Sequence, residues 1–501
     1  MSATKRALKA ARRRENRIRR KYERMKPLME PENVFGAQAL FDAAKTCKNG
    51  VWWKQSVIEH IKTNLAHAIM LHDEIMNGDY RKREPVHFIL NERGKERLIS
   101  AVRFRDRDVQ RSLCDNNLVP IVSNTLIYDN GASLSGKGTS FTRNRLRNDM
   151  LKAFNQYVRN VNNDYMNVCM NEMNNNNNDS DSVNHENNAA GESWKQCNQD
   201  KVNLLYENND ELRGMNKNRI QDNKWIDPHV VVFDYHNYFG SIDSMIVFEQ
   251  LQSMYEHYAI DMEPFVQPDE QNEFNAFKDN IQKILDILRI FIHDEKHLGL
   301  GNQTSQTMAI WFVNKIDHMA SSYGYYGRYM DDGYCICPDR QSAESFKRML
   351  IKESDRIGLT MNPHKLKMFP LQSGCMHFMK RDYKFDEHGM LHVRMSVKSL
   401  KYNHRHVRNV IQHTDGIMID LRTIVYIGLA FKANIQDCTD RTGLWKSYAE
   451  WFNDLCHENG FNDFNVRRDK ELLMQERPKS YRKTCKHKNK RINRIIKIKC
   501  I

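Results

Sequence analysis

No two cysteines of this sequence stand at Cys-x-x-Cys spacing, no apolar run is long enough to cross a bilayer, and no apolar stretch follows the charged N-terminus. Each absence excludes a class. Eleven scattered cysteines without paired spacing exclude a zinc ribbon and a disulfide framework. Cys335 and Cys337 lie two apart on one expected strand, and Cys485 with His487 lacks a second half-site. Reduced thiols in a cytoplasmic protein are the expectation. The longest apolar run, around Ile424 to Phe431, is too short for a membrane span. A secretory leader needs an apolar core, which the basic start does not supply. Acid is also in deficit: 77 Lys and Arg face 63 Asp and Glu, giving a net charge of +14 and a pI near 9.1. Such a surplus favours a polyanionic partner. A length of 501 residues with 40% hydrophobic content supports a packed core and about three domain-sized units.

What is present centres on GYYGRYMDDGYCICP, Gly324 to Pro338. Apolar and aromatic residues flank Asp331 and Asp332 on both sides, which predicts two short strands joined by a turn through Asp-Asp-Gly. Alone, that tripeptide is an ordinary solvated turn. Adjacent carboxylates repel, and burial makes this worse unless water or a divalent cation neutralises them. Upstream, in HVVVFDYHNYFGSID, four apolar residues from Val230 to Phe233 run directly into Asp234, which predicts a buried strand carrying a third acid at its end. Three carboxylates brought together in this way can hold a pair of Mg2+ ions, with Mn2+ as the alternative, that clamp both oxygens of a phosphoryl transfer.

In order along the chain, FDYHNYFGSID, GLGNQTSQ, YMDD, MNPHKLK and GCMHFMK resemble the palm motifs of reverse transcriptases, and the resemblance runs from about Glu92 to Tyr383. It implies an α+β right-hand polymerase with fingers, a palm built on an antiparallel sheet, and a helical thumb. It also implies that Asp234, Asp331 and Asp332 are the metal-binding and catalytic triad. Phe239, five residues after Asp234, would be the steric gate against ribonucleotides, with Tyr238 as the competing ring. Lys95 and Arg97, on an expected basic hairpin, would sit over the incoming triphosphate, where fixed cations balance phosphate charge. Asp106, Arg107 and Gln110 resemble a DRxxQ segment of the same families, Lys365 the motif lysine that protonates departing pyrophosphate, and Phe378, Met379 and Lys380 the primer grip. The glycines before Asn302 allow close backbone approach, and the polar turn ending at Gln306 can touch template or nucleotide sugar. Its Ser-Gln ending departs from the Ser-Pro of group II intron and retron relatives and is more like diversity-generating and defence-associated bacterial enzymes.

Six segments follow. Residues 1–30 form a basic extension, with twelve Lys or Arg among the first 26 residues, Arg12, Arg13 and Arg17 included. This predicts an RNA-contacting arm that orders on binding. The fingers cover 31–160; there Trp52, Trp53, Val57, Ile58, Ile61, Leu65 and Ile69 recur at helical intervals and are expected in the core, and Lys137, Arg143 and Arg145 are template-backbone candidates. Residues 161–225 are an Asn-rich insertion too poor in large apolar residues to order itself. The palm covers 226–384. A helical thumb covers 385–476, its first helix tracking the duplex minor groove with Lys398, Lys401, Arg405 and Arg408. Residues 477–501 form a basic, RNA-binding tail.

No nuclease or ribonuclease H signature accompanies these motifs, which argues against a retroviral type. The expected function is therefore RNA-directed DNA synthesis from dNTPs on an RNA template, with a dedicated noncoding RNA as partner, no membrane, and a homo-oligomer as an open state. Antiphage defence is the favoured role, with diversification or retroelement mobility as alternatives. A non-catalytic RNA-binding scaffold is the reading from another class, and the presence of all three carboxylates opposes it.

Overall fold

The computed structural model describes residues 3–92, 95–176, 225–292, 296–412, 421–461 and 464–469. Residues 177–224 of the Asn-rich insertion and the basic tail 477–501 lie outside the described residues, as does the side chain of Lys95.

Helix α1 (Ala3–Met25) carries Ile18, Tyr22 and Met25 at four- and three-residue spacing, which places them on one face. That face is docked: the Tyr22 ring meets Phe277 edge-on at 4.8 Å, and Tyr22 and Met25 belong to the main core. Arg19 pairs with Glu270 at 3.0 Å and Lys21 with Asp261 at 3.4 Å. The expected free arm is thus half anchored, because its C-terminal turns carry an apolar stripe as well as charge. Helices α2 (Ala37–Cys47), α3 (Gln55–Lys62) and α4 (Asn64–Met76) follow. Trp52 and Trp53 are 67% and 61% exposed rather than in the core, and Leu65 and Ile69 are exposed too. Helix α4 buries the stripe Ala68, Leu71 and Ile75 instead, and Leu65 and Ile69 lie to one side of it. Strands β1 (Val86–Glu92) and β2 (Lys95–Ala101) form an antiparallel hairpin, followed by α5 (Phe104–Leu113) and the long α6 (Thr139–Asn176). Helix α6 crosses the expected boundary at 160, so the first sixteen residues of the Asn-rich segment continue a helix that starts outside it.

The centre is a four-stranded antiparallel sheet in the order β4-β5-β3-β6. Its members are β3 (His229–Asp234), β4 (Tyr325–Tyr329), β5 (Asp332–Cys337) and β6 (Lys367–Pro370). The run Val230–Phe233 is continuously apolar because both faces of β3 are covered, with successive side chains pointing opposite ways. Val231 and Phe233 enter the main core with α7 (Ser244–Met262), α8 (Gln271–Ile292), α9 (Gln303–Phe312), α10 (Asn314–Ala320) and α11 (Arg340–Arg356). Asp243 starts α7 by accepting the Met245 and Ile246 amides at 2.9 and 3.2 Å. Val230, Tyr334 and Ile336 face a second core with Leu146 and Met150 of α6 and a three-stranded sheet, β7 (Met376–Phe378), β8 (Arg381–Phe385) and β9 (Leu391–Met395).

Helices α12 (Val397–Gln412), α13 (Leu421–Asn434) and α14 (Arg441–Glu458) close around their own core, where the rings of Phe431 and Tyr448 stack at 3.8 Å. Met395 of β9 joins this core, whereas Leu391 and Val393 of the same strand are buried in the second core. Among the described residues no helix is long and apolar enough to cross a membrane.

Candidate active site

Asp234 ends β3 and lies directly opposite Asp332, the first residue of β5. Tyr329 also pairs with Asp332, so the residues that turn the chain between β4 and β5 are Met330 and Asp331. The expected turn through Asp-Asp-Gly therefore starts one residue earlier, on Met330 and Asp331. Met330 takes the left-handed φ of 55° that the tight reversal demands. Gly333 is in the strand for another reason: a Cβ there would lie 2.2 Å from the Phe233 ring across the sheet.

A second loop delivers a cation to the acids. The Asn362 amide donates to the Asp234 carbonyl at 2.8 Å and the Lys365 amide to the Asn362 carbonyl at 3.0 Å, which fixes the loop against the end of β3. The Lys365 ammonium then donates to Asp234 Oδ2 and lies 4.0 Å from Asp332 Oδ1. Burial, and next the Asp234 carboxylate, push the Asp331 carboxyl above its usual range. Burial, a hydrogen bond with Asp234 and the charges of Asp331 and Asp234 do the same to Asp332. Burial works against the Lys365 charge, but the facing carboxylates outweigh it and hold its pKa up. Among the described residues no group of three or more His, Cys, Asp or Glu side chains is already placed to hold a metal ion. The three carboxylates are nevertheless hard oxygen donors short of counter-charge, with an ammonium standing where positive charge is needed. That donor set fits divalent cations such as Mg2+.

Tyr238 and Phe239 follow a left-handed Asn237, φ 46°. Tyr238 is core: it is 4% exposed, stacks on Tyr235 at 5.2 Å and donates its hydroxyl to the Ala309 carbonyl at 2.5 Å. Phe239 is half-buried at the edge of the same core. The β1–β2 hairpin carries exposed Arg97, whose charge offsets part of the upward shift at Asp331. Lys95 begins β2. Gln306 is exposed on α9. The glycine-rich segment before α9 presses on β2: the Ser100 amide donates to the Leu300 carbonyl at 3.0 Å, and a Cβ on Gly301 would lie 3.2 Å from the Ser100 carbonyl oxygen. Gln110 holds the same segment, accepting from the Gln303 amide at 3.2 Å and donating to Thr304 at 3.0 Å. Buried Asp106 accepts from the Tyr80 hydroxyl at 2.9 Å, so Asp106 and Gln110 both serve internal contacts.

Three template candidates already have partners within the chain. Arg143 donates to the Met379 carbonyl at 2.9 Å and pairs with Asp437 at 3.2 Å. Arg145 pairs with Asp129, and Lys137 donates to the Tyr128 carbonyl at 2.6 Å. Each is thus engaged while keeping further N–H donors. By contrast, Lys398, Lys401, Arg405 and Arg408 line one exposed face of α12, and Arg12, Arg13 and Arg17 are exposed on α1.

Sequence reasoning missed Arg328. It is fully buried in β4, where it pairs with Asp317 at 2.6 Å and donates to the carbonyls of Ile310 and Met330, each at 2.7 Å. The Tyr326 hydroxyl completes Asp317 at 2.7 Å. The guanidinium thus props the turn that carries Asp331. The signal was available: an arginine flanked by strand aromatics must find an acid, because a buried charge is tolerable only when paired.

No protein-family model and no curated protein matches the chain. Solved structures that resemble it include a C-terminally truncated apo telomerase from Candida tropicalis, at 12% identity over 62% of this chain and 55% of that one, TM-score 0.30. Telomerase from Candida albicans with a TWJ fragment of telomeric RNA aligns at 10% identity over 79% and 65%, TM-score 0.32. Full apo telomerase from Candida tropicalis aligns at 13% identity over 76% and 63%, TM-score 0.30. The chain thus spans between about half and two thirds of those chains, and likeness at this level assigns no family.

Proposed function

We propose that this chain is an RNA-directed DNA polymerase, extending a primer 3′-hydroxyl with deoxynucleotides along an RNA template. The observation that carries the reading is the placement of Asp234 opposite Asp332, with Asp331 on the adjoining turn and Lys365 reaching in beside them. The central sheet is then the palm, the β1–β2 hairpin with its helices the fingers, and α12–α14 the thumb. When bound by the three carboxylates, two Mg2+ ions, or Mn2+ in their place, supply positive charge to the phosphoryl group being transferred. Arg97, with Lys95, holds the triphosphate from the fingers. Lys365 carries a proton that the leaving pyrophosphate can take. Phe239 closes the space a 2′-hydroxyl would need, and Gln306 faces template or sugar. The exposed basic faces of α1 and α12 hold RNA by its phosphates. Antiphage defence with a dedicated noncoding RNA is the favoured role, and the Ser-Gln ending of the GLGNQTSQ motif, shared with defence-associated and diversity-generating enzymes, supports it over a group II intron or retron type.

The test is extension of oligo(dT) on poly(rA), and of RNA that copurifies with the full chain, with dNTPs and Mg2+. Alkali-stable product that disappears on chelation is expected. Failure to make such product on both templates would reject the reading.

A further inference from the structure

The hairpin between β7 and β8 reverses in two residues, since Phe378 pairs with Arg381. Both turn residues, Met379 and Lys380, are left-handed, with φ of 46° and 67°. This geometry matches strand twist but is normally given to Asn and Gly, because a side chain is strained there. A strained turn persists only where its surroundings hold it. Here the Ser396 amide donates to the Lys380 carbonyl at 3.3 Å, and two guanidinium groups flank the turn. Arg143 of α6 donates to the Met379 carbonyl through Nε at 3.2 Å and through a terminal nitrogen at 2.9 Å. Arg381 donates to the Lys380 carbonyl at 3.2 Å. Both meet one carboxylate, Asp437, at 3.2 Å from Arg143 and 2.8 Å from Arg381. Asp437 belongs to the loop between α13 and α14, so it comes from the C-terminal helical unit. The same loop is pinned again two residues on, where the Thr439 amide donates to the Val393 carbonyl at 2.8 Å and the Val393 amide to Thr439 Oγ1 at 2.9 Å.

We propose that Asp437 is a positioning residue that latches the C-terminal helical unit to the Met379–Lys380 turn through Arg143 and Arg381. It rests on the polymerase reading, in which that turn presents the primer end to the carboxylates. The Arg381 side chain is 1% exposed and that of Arg143 11%. Arg381 also donates to the Asn434 carbonyl, but Asp437 is the one carboxylate that meets both charges, and without it Arg143 and Arg381 lose their shared counter-charge beside the turn. Primer grip and thumb position are then one coupled element. A primer is held firmly only while the helical unit is docked.

The test uses the full chain with Asp437→Asn, alone and combined with Met379→Gly, since glycine takes a positive φ unaided. Hydrogen exchange across 376–385 reports the turn directly, and binding of a fluorescent DNA primer annealed to an RNA template reports its use. Asp437→Asn should speed exchange and weaken primer–template affinity by about tenfold each, the scale of one charge-assisted hydrogen bond. The added glycine should recover the exchange rate of the turn but not the primer affinity, which needs the docked helical unit. Unchanged exchange in Asp437→Asn, or an exchange rate that the glycine does not restore, would overturn the latch. A parent chain that extends no primer would reject the polymerase reading and leave the exchange result standing.

Discussion

Tyr238 and Phe239 are adjacent, yet their surroundings assign them different work. Tyr238 has its hydroxyl bonded to Ala309 and its ring stacked on Tyr235, whereas Phe239 is half-buried at the edge of the main core. Truncating Tyr238 to Ala would leave a cavity and an unpaired carbonyl, at a cost of about 3–5 kcal/mol. Phe239→Ala should instead keep the thermal midpoint within a few degrees and raise ribonucleotide incorporation relative to deoxyribonucleotide. Competition between labelled ATP and dATP, with a melting curve for each variant, checks both. Sugar selectivity that changes in Tyr238→Ala and not in Phe239→Ala would exchange the assignments. The spacing from Asp234 was enough to nominate Phe239, but separating it from its neighbour needed burial and a hydrogen-bond partner, which depend on α9, some 70 residues away in sequence.

Elements meet at polar seams that no local pattern announces. Helix α6 joins the central sheet where the Tyr334 hydroxyl donates to Asp149 at 2.9 Å, inside the second core. Burial pushes the Asp149 carboxyl up to about 7. A carboxyl raised by folding binds its proton more tightly in the folded chain. Its stabilising contribution is therefore full below the unfolded value of about 3.9 and lost as pH climbs through the folded value. At about 1.4 kcal/mol per pH unit, the loss amounts to roughly 4 kcal/mol over that window. Asp149→Asn, which cannot ionise, should flatten the decline of the melting temperature between pH 4 and 8; parallel curves for parent and variant would show that Asp149 does not titrate there. The strands themselves were legible, because Val230–Phe233 and the residues around the paired aspartates carry strand-like runs. What the runs did not give was the site of the turn, since cross-strand pairing of Tyr329 with Asp332 moves it onto Met330 and Asp331. The partners of Arg143 and Arg145 within the chain were equally hidden, because they are backbone and acids brought near only by the fold.

Across the whole molecule the net charge of +14 is distributed on faces that differ in how firmly they are held. In α1 the exposed Arg12, Arg13 and Arg17 precede the docked turns of Ile18, Tyr22 and Met25. Deleting residues 1–17 should leave the melting temperature unchanged while flattening the salt dependence of RNA binding, by about 0.7–0.9 in log K per log salt for each phosphate no longer neutralised. Deleting 1–26 should in addition destabilise the main core, because Tyr22 and Met25 leave it. Equal salt slopes in the parent and the shorter deletion would move the RNA-anchoring surface to the exposed face of α12. Of the three carboxylates, Asp332 is the one that faces Asp234 across the sheet while lying beside Lys365. Asp332→Asn keeps the size of the side chain and removes a charge, so the fold should survive. The most direct measurement is single-nucleotide extension of a primed RNA template by this variant beside the parent, in Mg2+, with circular dichroism melts for both. Matching melts with a rate lower by several powers of ten, equivalent to several kcal/mol in the barrier, are the expected result; parent-like incorporation by Asp332→Asn would contradict the account.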